Sequence, residues 1–243
     1  LSKENLFYAT IAPFVIFFGL FGLLIYPNRE LLHLSAQTID NLKATYPVIK
    51  WFIPVLGNWT FSIFYILSEL WGSAILSLSF WQFANQITRI PEAKRFYAFF
   101  GLIGQFSSLF VGYVGHYFSE LGKKTVGNSW GVSLYYLMGT VVILGLLCMY
   151  CYYWMHRSVL TDKRFYDPEE AAPKKSKKKK PSLSESFKMI LTSPYLGLIA
   201  MLVIAYGVTI NCAEGVWKDQ VKQRYPLPND YNAFVSQFTV YMG

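Results

Sequence analysis

Charge is scarce in this sequence. Only 15% of the residues are Asp, Glu, Lys or Arg, against about 25% in an ordinary soluble domain. The other absences are as telling. There is no glycine-rich phosphate loop, no nucleophile–base pair and no cluster of metal-ligand residues, so a chemical active site is not expected and neither is a cofactor. Cysteine is limited to Cys148, Cys151 and Cys212, all in apolar runs. The first two form a C-x-x-C without a βαβ context, which reads as buried thiols rather than a redox pair. What replaces these features is apolar surface: 53% of the chain is hydrophobic and 19% aromatic. Runs of about 20 apolar residues mark membrane spans, and this 243-residue chain holds several. The expected fold class is therefore all-α, a polytopic membrane helix bundle.

The runs divide the chain into spans at 6–26, about 57–84, 96–118, 130–155 and 195 to about 216, with a sixth starting near Phe234. Pro13 lies inside the first, which a membrane bundle tolerates. Ser35–Thr45 reads as a short surface helix. In the third span Gly104, Ser108 and Gly112 recur every four residues, a small face for close helix approach. His116 and Glu120, four apart, are two ligands at most and read as boundary hydrogen-bonding groups rather than a metal site.

The long polar segment is 156–193. It contains Lys174–Lys180, six lysines in seven residues, expected to be a solvated, mobile, cytoplasmic linker, with contact to anionic membrane lipid as the second reading. At its end Ser182 and Glu185 fit a capping box, opening a short helix whose apolar residues include Leu183, Phe187, Ile190 and Leu191, and which stops at Pro194. With the lysine-rich segment placed inside, inner segments hold 14 Lys and Arg and outer loops hold 8, in the direction of the positive-inside rule. A net charge of +8 thus reports topology here and not a nucleic-acid partner.

No Lys or Arg falls inside these spans, and of 14 acids only Glu69 and Glu214 do so. A carboxylate within a span is costly and asks for a function. On a helix at about 100° per residue, Asn58, Ser62, Tyr65, Gly72 and Ser73 share a narrow polar face with Glu69, while Leu67, Leu70, Trp71, Leu78 and Trp81 lie elsewhere. Such a face turns to a water-filled cavity or to partner helices.

Four stretches, SELWGS (68–73), FWQFANQIT (80–88), EAKRFY (92–97) and YGVTINCAEGVWK (206–218), resemble the ATP/ADP translocases of plastids and obligate intracellular bacteria, and the likeness runs the whole length of the chain. The resemblance implies a major-facilitator-like fold of about twelve spans in two six-helix halves. The chain would then be a piece of it. Residues 1–155 hold helices three to six of the first half, 156–193 the cytoplasmic basic linker, and 194–243 helix seven and the start of helix eight; the rest of the polypeptide would supply the missing helices. It implies ATP and ADP as transported substrates, in the inner membrane of an intracellular bacterium or the inner envelope of a plastid. In such a fold Glu69 and Glu214 land on cavity-lining helices in different halves. The family's functional acids lie in these two motifs and carry over to Glu69 and Glu214; its functional lysines have no counterpart in these spans.

A carboxylate should not bind phosphate directly. It can hold a cation in place, accept hydrogen bonds from base or ribose, or form a gate pair; a purely structural pair is the alternative. Lys218, four residues after Glu214, is a local partner for it. Asn211 is a candidate base contact, and Tyr65 a candidate platform for adenine. The expected function is exchange of ATP for ADP by alternating access. The alternatives are proton-coupled nucleotide uptake and a membrane scaffold that acts through the lysine-rich segment.

Overall fold

The computed structural model describes residues 3–88, 92–161 and 182–243. Among the described residues there is no strand. Helix α1 (Lys3–Leu20) carries Pro13 without a break and continues as a π-helical turn, Phe21–Ile25. The connection that follows holds α2 (Arg29–Leu32), α3 (Ala36–Thr45) and α4 (Phe52–Gly57). The surface helix expected from Ser35 is α3, and the Ser35 hydroxyl accepts from the Thr38 amide at 3.1 Å as its N-cap. Next come α5 (Trp59–Leu70), a π-helical turn at Trp71–Leu76, and α6 (Ser77–Ile87). Helices α7 (Ala93–Lys123) and α8 (Ser129–Trp154) follow, α8 ending in a third π-turn, Met155–Val159. After the lysine-rich stretch, which lies outside the described residues, come α9 (Leu183–Thr192), α10 (Pro194–Arg224) and α11 (Pro228–Met242).

Four of these segments are long and apolar enough to cross a membrane: Glu4–Ile25, Ala93–Lys123, Ser129–Val159 and Pro194–Arg224. The run expected at 57–84 is helical from Trp59 to Ile87, with the π-turn in its middle. Ser182 and Glu185 make the reciprocal capping box of α9: the Ser182 hydroxyl accepts from the Glu185 amide, and Glu185 Oε2 accepts from the Ser182 amide at 2.8 Å.

Two boundaries differ from the sequence expectation. Helix α10 does not stop near Val216 but runs to Arg224, because the charges there pair one turn apart (Lys218 with Glu214, Gln223 with Asp219) and sustain the helix while hydropathy falls. Lys218 therefore lies within a candidate span, and the expectation that no lysine does so is corrected. Helix α11 begins at Pro228, not Phe234: proline suits the first helical turn, where its missing N–H would have no partner anyway.

The aromatic core lies where α1 meets α5 and α8. Phe18, Phe21, Tyr26, Leu134 and Met138 are buried together. Phe21 stacks on Phe64 with centroids 4.2 Å apart, and Trp71 packs on Phe14 and Phe18. Gly22 permits the close approach: a Cβ there would lie 2.8 Å from Met138 Cβ. This packing fixes α5 by its Phe64–Trp71 face. Tyr65 and Glu69, one turn apart on a different face, are left outward.

A second contact ties α11 to α7 and α8. Gly112, Gly115, Ser119 and Gly122 of α7 are buried. A Cβ on Gly112 would lie 2.7 Å from the Ser236 carbonyl oxygen. Polar side chains fasten the seam: Ser133 Oγ donates to Asn229 Oδ1 at 2.7 Å, Asn229 Nδ2 to Ser129 Oγ at 3.2 Å, and Asn232 Nδ2 to Ser119 Oγ at 2.7 Å. Small residues for approach and hydroxyls or amides across the gap are what helix association in lipid selects. The stripe expected at Gly104, Ser108 and Gly112 is thus seated at Gly112, while a Cβ on Gly104 would meet nothing within 4 Å. The packed set drifts to Gly115 and Gly122 because the seam follows two crossing helices and not a fixed four-residue repeat.

Candidate functional site

Tyr65 and Glu69 stand about two and three turns into α5. Glu214 and Lys218 stand on α10, on the other side of the lysine-rich stretch. Lys218 Nζ sits 2.7 Å from Glu214 Oε1. The same ammonium lies 5.9 Å from the centroid of the Tyr65 ring, within cation–π range, and the Glu69 carboxylate is among the charges that act on it. Lys218 thus joins Glu214 on α10 to Tyr65 on α5, while Glu69 acts on it only as a weaker, more distant charge. The site is half-open: the Lys218 side chain is 38% exposed, the Glu214 side chain 46%, and Tyr65 57%. At this exposure the ion pair is weak and exchangeable rather than a lock, worth up to about 1 kcal/mol.

Asn211 is not brought into this group. Its Nδ2 donates to the Gly207 carbonyl oxygen of its own helix at 2.8 Å, which serves helix packing as much as ligand binding. One face of the Tyr65 ring lies toward the Lys218 ammonium, so a base stacked on that face would have to share it with the lysine.

A further ion pair escaped the sequence reading. Lys123 Nζ, at the end of α7, lies 2.5 Å from Glu120 Oε1 and 2.9 Å from Asp230 Oδ1, on α11. The Glu120–Lys123 spacing was readable from the sequence; the Asp230 arm was not, since it crosses more than a hundred residues. His116 Nε2 lies 3.5 Å from Gln237 Nε2, a contact across the same seam. Among the described residues no group of three His, Cys, Asp or Glu is placed to hold a metal.

Chemically, the arrangement offers no nucleophile aimed at a bond. It offers a cation that can leave one carboxylate for another anion, beside an aromatic face, with the participating helices drawn from both sides of a linker.

The chain is 49% identical over 247 aligned residues to ADP,ATP carrier protein 1 of Chlamydia trachomatis, covering all of this chain and 46% of that protein. It is 46% identical to ADP,ATP carrier protein 1 of Rickettsia typhi, covering 48% of it, and 41% identical to the chloroplastic ADP,ATP carrier protein 1 of Arabidopsis thaliana, covering 38% of it; in both cases the alignment takes in all of this chain. The chain therefore spans about half or less of the length of these curated relatives. No solved structure matches it. The model of the TLC ATP/ADP transporter family matches residues 1–243, and the chain belongs to that family.

Proposed function

We propose that the protein exchanges ATP for ADP across a membrane by alternating access, with Glu69, Glu214 and Lys218 as the gating group and Tyr65 as the aromatic wall beside it. The single observation that carries this reading is Lys218, paired with Glu214 on α10 and held over the Tyr65 ring on α5, one turn before Glu69. Residues 1–155 serve as part of one half of a major-facilitator-like transporter and 194–243 as the start of the other, with 156–193 as the cytoplasmic connection. No hydrolysis is involved: the two nucleotide gradients and the charge difference between ATP and ADP drive exchange. The membrane is that of an intracellular bacterium or a plastid inner envelope, a reading supported by relatives from Chlamydia and Rickettsia and by the chloroplastic one of Arabidopsis.

A pair at the membrane's edge suits a gate. Its attraction is small enough to be broken each cycle, while a charge left alone within a span carries a penalty, about 2.5–3.5 kcal/mol at the span's centre and less toward its end. The pair therefore holds until another partner arrives. The test is reconstitution of the full-length protein in proteoliposomes, with labelled ATP outside and ADP, GTP, CTP, phosphate or nothing inside. Uptake that requires internal ADP or ATP is expected. Uptake that proceeds into empty vesicles and follows a pH gradient would replace this reading with proton-coupled entry.

A further inference from the structure

Beyond Lys218, α10 continues for two more turns, and its end forms a cleft with the start of α11. The cleft holds about 420 Å³ and is lined in part by Lys218, Lys222, Tyr225 and Tyr231. That volume falls within the usual range for small-molecule sites, about 300–1,000 Å³. One wall is seated: Tyr225 stacks on Phe234 with centroids 4.8 Å apart. Lys222 is exposed, stands one turn beyond Lys218 on the same stripe of the helix, and has no ion pair among the described residues. Asp219 also lines the cleft, and its Oδ2 accepts from Gln223 Nε2 at 2.7 Å.

We infer that this cleft is a capture site for a polyphosphate nucleotide, lying ahead of the Glu69–Glu214 site, with Lys222 as the first phosphate ligand and Tyr225 and Tyr231 as the walls for the base. The choice of ligand rests on the exchange function proposed above. Two ammonium groups one turn apart match the spacing of neighbouring phosphates, and an aromatic wall accepts any base by stacking. The order of engagement follows from the pairing. Lys222 carries an unshared charge and meets the incoming phosphate first. Lys218 is shared with Glu214, so a phosphate held by Lys222 competes with that carboxylate for it. Exchange of one anion for another leaves the ammonium partnered throughout. Capture thereby loosens the Lys218 contact with the gating group.

Kinetics of the full-length protein in proteoliposomes, with nucleotide presented at this end of α10, test the site. Lys222→Gln should raise the KM for ATP about three- to fivefold, the size of one exposed charge contact, keep the maximal rate, and flatten the dependence of KM on ionic strength. Lys222→Arg should behave as the unaltered protein. A second readout needs no transport: inorganic tripolyphosphate or ATP added to the solubilised full-length protein should shield Lys222 from amine acetylation and leave Lys50 reactive. Exchange with an unaltered KM and salt dependence in Lys222→Gln, or equal labelling of Lys222 with and without tripolyphosphate, would overturn the capture site. Shielding of Lys222 in a protein that does not exchange ATP for ADP would sustain the site and overturn the exchange reading instead.

Discussion

Adding one methyl group to Gly112 should destabilise the protein, whereas the same change at Gly104 should not. At Gly112 the new Cβ would sit 2.7 Å from the Ser236 carbonyl oxygen and 3.0 Å from the Val240 amide nitrogen, and would also meet Val240 Cγ2. Two of these are backbone atoms, so no side-chain rotation relieves them. Helix α11 would have to withdraw by roughly 0.7 Å to restore ordinary contact, and close-packed surfaces lose a quarter to a half of their attraction over a gap of about 0.5–1 Å. Such overpacking costs about 1–3 kcal/mol, and backbone contact puts it in the upper part of that range. Alanine's helix propensity returns up to about 1 kcal/mol. The net loss is about 1–2 kcal/mol, or a fall in melting temperature of a few degrees for a protein of this size class. At Gly104 no atom lies within 4 Å of the added Cβ, so only the propensity gain remains. Thermal unfolding of both full-length variants in the same detergent makes the comparison. Gly112→Ala melting with or above Gly104→Ala would refute the seam between α7 and α11.

Glu69→Gln and Glu214→Gln should insert and fold normally yet exchange nucleotide poorly, with Glu69→Asp in between; exchange per folded molecule in proteoliposomes, with melting run in parallel, decides, and loss of exchange only in step with lost stability would mean a structural pair. Lys218→Ala should be as severe as Glu214→Gln if the lysine serves only that carboxylate, and more severe if it also serves Tyr65 and Glu69, as its position over the ring favours. His33, in the connection after α1, should make stability fall with acid. Its Nε2 lies 2.5 Å from Thr60 Oγ1, and burial first, then the Arg29 charge, holds its pKa below the usual 6.5. The folded state thus favours the neutral ring, so its contribution is complete above about 6.5 and is lost as pH falls from there through the folded value. Melting temperature measured from pH 7.5 to 5 should drop less in His33→Gln than in the unaltered protein, and parallel curves would exclude His33 as the cause.

Much of this was legible in the sequence because it is local. Hydropathy located four candidate spans, and Ser35 and the Ser182–Glu185 box marked helix starts whose caps are made by residues three apart. The Glu214–Lys218 pair was readable as an i,i+4 spacing. What was not legible depends on the third dimension or on composition that misleads. The π-turn at Trp71–Leu76 adds a residue to the helix just after Glu69, and no residue type announces it; Trp71 is placed by Phe14 and Phe18 from a distant helix. The end of α10 was misread because charge ended the hydropathic run, although charges paired at i,i+4 extend a helix rather than end it. The small stripe of α7 was recognised by its repeat, yet which of its members is packed is decided by Ser236 and Val240, more than a hundred residues away. Above all, the sequence placed Tyr65 and Lys218 on separate helices without any means of joining them, since a lysine's reach depends on where the two helices stand.

Two lysine-centred ties between the two parts of the chain stand beside the α7–α11 seam. Tyr65 is about two turns into α5, Lys218 near the end of α10, Lys123 at the end of α7 and Asp230 near the start of α11. In a chain whose spans alternate in direction these places lie toward one end of the bundle. Each of the two ties made there centres on a lysine, and each lysine is half-exposed. In the exchange cycle proposed above this is the state closed at the outer end. The ties differ in kind, however. Lys123 is flanked by two carboxylates within a seam of buried serines and asparagines, so the seam persists if the lysine lets go. Lys218 spans to Tyr65 with a flexible side chain and one carboxylate behind it. An arriving polyphosphate can displace that carboxylate without stranding the ammonium, and a ligand shifts an equilibrium only by binding one state better than the other. On the exchange function proposed above, substrate binding energy would be converted into opening on the Lys218 side, and the two parts would pivot on the Lys123 side.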